Sequence, residues 1–389
     1  MKQIQYDLDS DFGEYMKGKI RFIPVLVLFL LILAGCSTSV RLDYMRPAEI
    51  NMGKYRNIAI ASTVPYEGRI SYPHLIRALD PVSAMVHMFS TYDSKTPDYV
   101  ADYATDALFS TLSSTGFFDS ILSPAGTDTI LGMRKLGYDP SVEFVRNGYD
   151  AVLIPKVEIM GFDEFIWSEK KIVKVYDEEL KKSVEKQDTI YRIKRVANIM
   201  YSITVLDCKT NQIVTKKTYH DSYEWVEVFN PKSYHFTVDG RYMFRSMIDE
   251  ILDEVLEDFI PRRVSYYADL MSNKPKLEAA KPAYECAKDG NMHLAASLFK
   301  ECWEQYGHVP SGYNYALLTA GYGEYDLALS ILENLMRYSS DSDIIQLHGD
   351  LMLVKERDEK ANAQLEGLAE GDMPGQSNPN ATIYDYIMN

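Results

Sequence analysis

Between residues 98 and 115 the apolar positions Val100, Tyr103, Ala104, Ala107, Leu108 and Leu112 fall three and four apart, which brings them to one face of a helix. Asp98 can cap its start and Gly116 stops it. Residues 241–259 carry the clearest pattern of this kind: Met243, Phe244, Met247, Ile248, Ile251, Leu252, Val255 and Phe259 share a face, and Pro261 ends the run. Short apolar runs around these helices read as strands over residues 56–62, 117–122, 149–159, 191–207 and 213–219. The last two flank the polar run Asp207-Cys-Lys-Thr-Asn-Gln212, a turn that makes them a hairpin. Residues 140–147 are expected to be helical, with Gly148 as the stop, and residues 264–270 fit either a last strand or the start of a helical linker. Residues 63–97 hold Pro65, Pro73, Pro81 and Pro97 and read as a long irregular connection. The order is β-α-β-α-β-β-β-α. It predicts an α+β or α/β domain over residues 56–270, a mixed sheet with packed helices.

The last third changes period. Gly290, Ala295, Phe299 and Cys302 recur 33 residues on as Gly323, Ala328, Leu332 and Leu335. One more step of 33 gives Glu356, Ala361, Leu365 and Leu368, keeping the small and apolar positions but losing the glycine. This resembles the tetratricopeptide repeat, whose period is about 34 residues. Glycine would turn the chain between paired helices, and alanine would sit where two helices approach closest. Residues 271–368 are therefore expected to form an all-α repeat domain, with a loose tail over residues 369–389.

The other end carries an address. An apolar core over residues 22–34 follows Lys17, Lys19 and Arg21. It is short for a membrane-spanning helix, which needs about 20 apolar residues, and reads as the core of a secretory signal. Leu33-Ala34-Gly35-Cys36 is similar to the lipobox, in which the cysteine takes a diacylglycerol before the signal is cleaved. Residues 1–35 are then a signal peptide. Asp7, Asp9, Asp11 and Glu14 are foreign to a basic leader, so Met16 is the expected start. Residues 36–55, with Arg46-Pro-Ala-Glu-Ile50, read as an extended tether. No acidic residue follows Cys36 at once, and by resemblance this points to the periplasmic face of the outer membrane.

Charge narrows the partners. The chain has a formal charge of −15, all of it beyond residue 35, which argues against nucleic acid and leaves membrane attachment to acyl chains. The remaining cysteines are Cys208, Cys286 and Cys302. Cys286 and Cys302 can form one bridge in an oxidising compartment or stand as apolar thiols.

The element order also resembles the periplasmic domain of CsgG-like curli-channel and penicillin-binding-protein-activator lipoproteins. The matching pieces are Tyr55-Arg-Asn-Ile-Ala-Ile60, Leu112-Ser-Ser-Thr-Gly-Phe-Phe118, Gly148-Tyr-Asp-Ala-Val152 and the 206–213 hairpin, where Asn211 replaces the usual glycine. Together with Arg46-Pro-Ala-Glu-Ile50 and Gly290-Asn-Met-His-Leu-Ala-Ala-Ser-Leu-Phe-Lys-Glu-Cys-Trp303, the chain resembles the DUF6340 family of Bacteroidota lipoproteins. That family supplies no activity.

The chain contains no His-Glu-x-x-His, Gly-x-Ser-x-Gly, Walker loop or Cys-x-x-Cys, and its seven histidines show no metal-ligand spacing. No catalytic residue, metal or cofactor is expected beyond the lipid on Cys36. Residues 219–236 interleave aromatic and polar groups in a way that suits glycan or peptide contact, though a strand with its loop explains them more simply. Residues 169–188 are charged and read as a solvated hairpin or loop, which counts against a membrane pore. The function expected is a non-enzymatic scaffold or envelope-assembly accessory that binds an envelope protein through the repeats. The alternatives are an oligomeric secretion component of curli-channel type and an unrecognised cell-wall or glycan enzyme.

Overall fold

A computed structural model describes residues 38–68, 95–177, 181–229 and 240–367. Its strands are β1 (Ser39–Arg46), β2 (Asn57–Ile60), β3 (Ser120–Leu122), β4 (Ala151–Asp177), β5 (Lys182–Asp207), β6 (Gln212–Phe229) and β7 (Arg262–Asp269). Its α-helices are α1 (Thr96–Ser114), α2 (Pro124–Gly132), α3 (Pro140–Arg146), α4 (Arg241–Phe259), α5 (Lys281–Lys288), α6 (Met292–Tyr306), α7 (Val309–Gly321), α8 (Tyr325–Met336) and α9 (Ser342–Leu365). These form two compact units, an α/β unit of Met45–Arg262 with the chain from Arg357, and a repeat unit of residues 38–44 with Arg263–Glu356. The fold is mixed α+β with a helical C-terminal region.

The α/β unit is built on a five-stranded sheet in the order β3-β2-β4-β5-β6. β2 lies between two parallel neighbours, with Asn57 opposite Ser120 and Ile58 opposite Ala151. Both faces of such a strand are covered, which is why Ile58-Ala-Ile-Ala61 is an unbroken, buried apolar run. Alternation then divides the core. Ile58, Ile60 and Leu153 pack under α1 and α4, while Ala59, Val152 and Leu206 face Ile130 of α2 and Phe144 of α3. The eight apolar positions read on α4 are all buried. α1 starts two residues before Asp98, with Pro97 in its first turn, where the missing N–H costs nothing. Asn211 takes the left-handed turn with φ +55°, the conformation for which Gly is the default residue.

The strands outrun their patterns. β4 continues to Asp177, β5 begins at Lys182 and β6 runs to Phe229, so the charged 169–188 segment is mostly ladder. Pairing needs only backbone groups, which a polar side chain leaves available. β7 resolves the ambiguity over residues 264–270 in favour of strand. α2 was not anticipated, although Ser123 and Pro124 are a helix-start pair and the Ser123 hydroxyl accepts from the Gly126 N–H.

The tether reading of residues 36–55 is corrected. Residues 39–46 are β1, which pairs with β7, and Val40 and Leu42 on alternate positions enter the core of the repeat unit. Ile50, Met52 and Tyr55 are buried in the α/β core.

Candidate functional site

Leu33, Ala34, Gly35 and Cys36 lie outside the described residues, as do Leu368 and the tail. The repeat positions are brought together as the period requires. Gly290 joins α5 to α6 with φ +80°, and Gly323 joins α7 to α8 with φ +81°. The turn bonds repeat with them: the Gly290 N–H donates to Ala287 O at 3.1 Å and the Gly323 N–H to Ala320 O at 2.9 Å. Ala295, Phe299, Ala328 and Leu332 are fully buried in one cluster. In the third echo Ala361 is fully buried like Ala295 and Ala328, while at Glu356, where the glycine is lost, α9 runs on unbroken without a turn. Cys286 is half-buried and Cys302 buried, both as free thiols. Burial, with the Glu301 charge beside it, pushes the Cys302 thiol up.

One side of the repeat helices has partners within the unit. The Tyr266 hydroxyl on β7 donates to Asp350 of α9 at 2.8 Å. The Tyr284 hydroxyl of α5 donates to the Met271 carbonyl at 2.8 Å, and Asn314 of α7 bonds both the N–H and the carbonyl of Met271. The side shared by α5, α7 and α9 is covered by the chain's own β1–β7 sheet and the turn after it.

Sequence reasoning gave Arg46-Pro-Ala-Glu-Ile50 no partner, and the structure supplies several within the α/β unit. The Ala48 N–H donates to Gln364 Oε1 at 2.9 Å, and Gln364 Nε2 donates back to the Ala48 carbonyl at 3.0 Å. The Met45 N–H donates to Asp358 at 2.7 Å and the Ile50 N–H to the Asp258 carbonyl at 2.8 Å. Lys217 Nζ bridges Glu49 at 2.5 Å and Asp258 at 3.3 Å. The Lys217 bond holds the Glu49 carboxyl below its usual range, while burial pushes Asp258 up. Burial also pushes the nearby Tyr219 hydroxyl far above its usual value. Burial works to lower the Lys217 ammonium, but the bond to Glu49 and the Asp258 charge outweigh it. The cluster's partners are the segment's own groups, so its evident work is fastening residues 46–50 down. Among the described residues, no group of three or more His, Cys, Asp or Glu is placed to hold a metal ion.

The most exposed construction is the β4–β5 ribbon. β6 ends opposite Tyr191, so β4 and β5 continue alone from the Glu169–Ile190 pair to the Asp177–Lys182 pair, about 30 Å at ~3.3 Å per residue. On its other side β4 pairs with β2 only over Ala151–Leu153, and Lys156 bridges Val64. From Glu158 to Asp177 that edge has no partner strand among the described residues. Ile172 is 65% exposed and Tyr176 61% exposed, and Trp167, Trp225 and Val228 are exposed at its base. Ion pairs lace the base: Arg192 to Glu169 at 2.6 Å, Lys194 to Glu224 at 2.7 Å and buried Arg195 to Glu227 at 2.5 Å. In the aromatic stretch, Tyr219 turns into the core and Trp225 faces out from edge strand β6, while residues 230–239 lie outside the described chain. His220 and Asp221 lie in mid-strand, opposite Met200 and Ile199.

No protein-family model and no curated protein matches the chain. Two similar solved structures are a PelC dodecamer from Paraburkholderia phytofirmans and the lipoprotein GNA1162 from Neisseria meningitidis. The first is 11% identical over 57% of this chain and 97% of its own, with a TM-score of 0.21. The second is 10% identical over 51% of this chain and 96% of its own, also at 0.21. No helix among the described residues is long and apolar enough to cross a membrane.

Proposed function

We propose that this protein is a non-enzymatic lipoprotein, held by acyl chains on Cys36 at the periplasmic face of the outer membrane, that serves as a protein-binding scaffold or assembly accessory in the envelope. The lipobox-like Leu33-Ala34-Gly35-Cys36 supports the anchor, and two or more acyl chains make attachment stable where one is marginal. The observation that carries the binding role is the β4 edge, which has no partner strand from Glu158 on among the described residues, together with its ribbon. A two-stranded hairpin is marginal alone in water, and a long bare strand edge is a template for another chain. A partner that adds a strand to this edge would satisfy its backbone groups, with the exposed aromatics as side-chain contacts.

The test compares the full-length protein with a variant whose residues 169–190 are replaced by an Asn-Gly turn between Ser168 and Tyr191. Both are cross-linked in intact envelopes and extracted in detergent. A defined cross-linked partner is expected with the natural ribbon and not with the short one; recovery from both sinks the reading. Separately, Cys36→Ala is expected to end incorporation of labelled palmitate and to move the protein out of the membrane fraction.

The same edges favour a second reading, an oligomeric secretion or assembly component. Beyond Phe229 the ribbon is bare on its β5 side as well as its β4 side among the described residues, so copies can pair head to tail into a ring. A mass measurement in detergent separates the two: a ring-sized particle supports this reading and a monomer removes it.

A further inference from the structure

The repeat unit carries an internal ligand. On β1, Val40 is 4% exposed and Leu42 fully buried, both within the cluster formed by Leu317, Leu318 and Ala320 of α7 and Ala283 of α5. Gly321 lies where the strand crosses α7: a Cβ there would stand 3.4 Å from Val40 Cγ1 and 3.8 Å from the Arg41 carbonyl oxygen. β1 runs against β7 in the opposite sense, with the Ser39 hydroxyl donating to Asp269 at 2.5 Å, that of Ser265 to Asp43 at 2.6 Å and the Leu270 N–H to Thr38 O at 3.0 Å.

The two strands are held by different means. β7 and the turn after it are tied to α5, α7 and α9 through Tyr284, Asn314 and Tyr266. Over residues 39–43 the side-chain bonds of β1 to other elements go to β7 at exposed positions, and its hold on the repeat helices is Val40 and Leu42. Farther on, the Met45 N–H donates to Asp358 of α9 and Arg46 pairs with Glu257 of α4. β7 is bolted to the helices by side chains, and residues 39–43 of β1 are plugged in.

We infer that the repeat unit is a strand-binding groove, walled by β7 and filled in cis by β1, whose ligand class is an extended peptide with aliphatic side chains two residues apart. The groove is independent of the β4 edge argued above. It makes β1 a displaceable occupant, and an outside segment of the same pattern its competitor.

The experiment uses a fluorescein-labelled octapeptide, Ser-Val-Arg-Leu-Asp-Tyr-Met-Arg (residues 39–46), and its scrambled order as control. Each is titrated into the full chain and into the full chain carrying V40D and L42D, which place carboxylates in the sockets and release the strand. The labelled peptide is expected to bind the variant at least tenfold more tightly than the natural protein, whose own β1 competes. Adding G321L to that variant is expected to abolish the gain, because the new side chain fills the crossing point. Equal binding to both proteins, or a folded variant that ignores the peptide, overturns the inference. If the variant does not fold, hydrogen exchange on the natural protein decides. The β1 amides are expected to open more readily than those of α6 to α8, and β1 opening only together with those helices overturns the groove with an exchangeable occupant.

Discussion

The repeat unit and the α/β unit each bury a core of their own, but the helices of the first and strand β2 of the second draw their contacts at opposite range. In the repeat unit, α5 packs on α6, α6 on α7 and α7 on α8, so most partners are one turn away along the chain. Its turns are copies, since the bonds at Gly290 and Gly323 involve Ala287 and Ala320 at matching places. In the α/β unit, β2 takes its partners from Ser120 and Ala151, and Ala48 takes its partner from Gln364. The repeat helices are assembled from neighbours, while β2 and residues 46–50 are assembled from strangers. A change in the first therefore stays inside a hairpin, while a change in the second can unfasten distant chain.

The largest expected effects test whether the two cores are separate. Phe299 in the repeat unit and Phe244 in the α/β unit are both fully buried, so truncation to alanine is expected to cost about 3–5 kcal/mol in either case. Hydrogen exchange during urea denaturation should show Phe299→Ala lowering only the repeat unit and Phe244→Ala only the α/β unit. If both fall together, the contrast drawn above is wrong and the chain unfolds as one.

Gln364→Ala comes next. It strips the Ala48 N–H and carbonyl of their buried partner, at about 1–3 kcal/mol for each group left unpaired. Exchange at residues 45–52 is expected to rise although the substitution lies more than 300 residues away along the chain. Unchanged protection there would show that Lys217 and Asp258 suffice to hold the segment.

Gly290→Ala and Gly323→Ala sharpen the copy argument. Both glycines have left-handed φ with open space around the missing Cβ, so the cost is conformational, about 1–2 kcal/mol. Equal losses at the two sites are expected in thermal unfolding. Unequal losses would mean that the hairpins are alike in pattern but not in energetics.

The smallest effect is a pH dependence confined to one unit. Glu158 sits at the bulge between Val157 and Ile159. Burial works to raise its pKa, but its bonds to Lys216 and Ser202, with the Lys216 and Lys156 charges, outweigh that and hold it low. A carboxyl held lower in the folded than in the unfolded protein adds stability that is full above the ordinary carboxylate range. That stability is lost as pH falls through the folded value. Glu158→Gln is therefore expected to flatten the acid limb of the α/β unit's stability curve and leave the repeat unit's curve as it was.

Legibility followed the same division. The 33-residue offset placed Gly290, Ala295, Phe299, Gly323, Ala328 and Leu332 because each hairpin repeats one local solution, and it failed at Glu356 where the glycine that makes the turn is missing. The faces of α1 and α4 and the Asn211 turn were readable for the same local reason. The lengths of β4, β5 and β6 were not, since a ladder is extended by backbone groups that every residue but proline carries. The Glu49–Lys217–Asp258 cluster left no trace either, its members standing in a loop, a strand and a helix far apart along the chain.

What the sequence by itself determined is the set of pieces: the amphipathic helices, the hairpin turn and the period of the repeats. Each depends on residues within a turn or two of one another, where spacing and chemistry act directly on backbone geometry. Only the tertiary structure decided which pieces share an edge or a core. It made residues 39–46 a strand paired with β7, joined Ala48 to Gln364, and left β4 from Glu158 on without a partner strand on one edge among the described residues. Those outcomes depend on encounters between segments that no local pattern encodes, because any apolar strand offers the same backbone groups to every other.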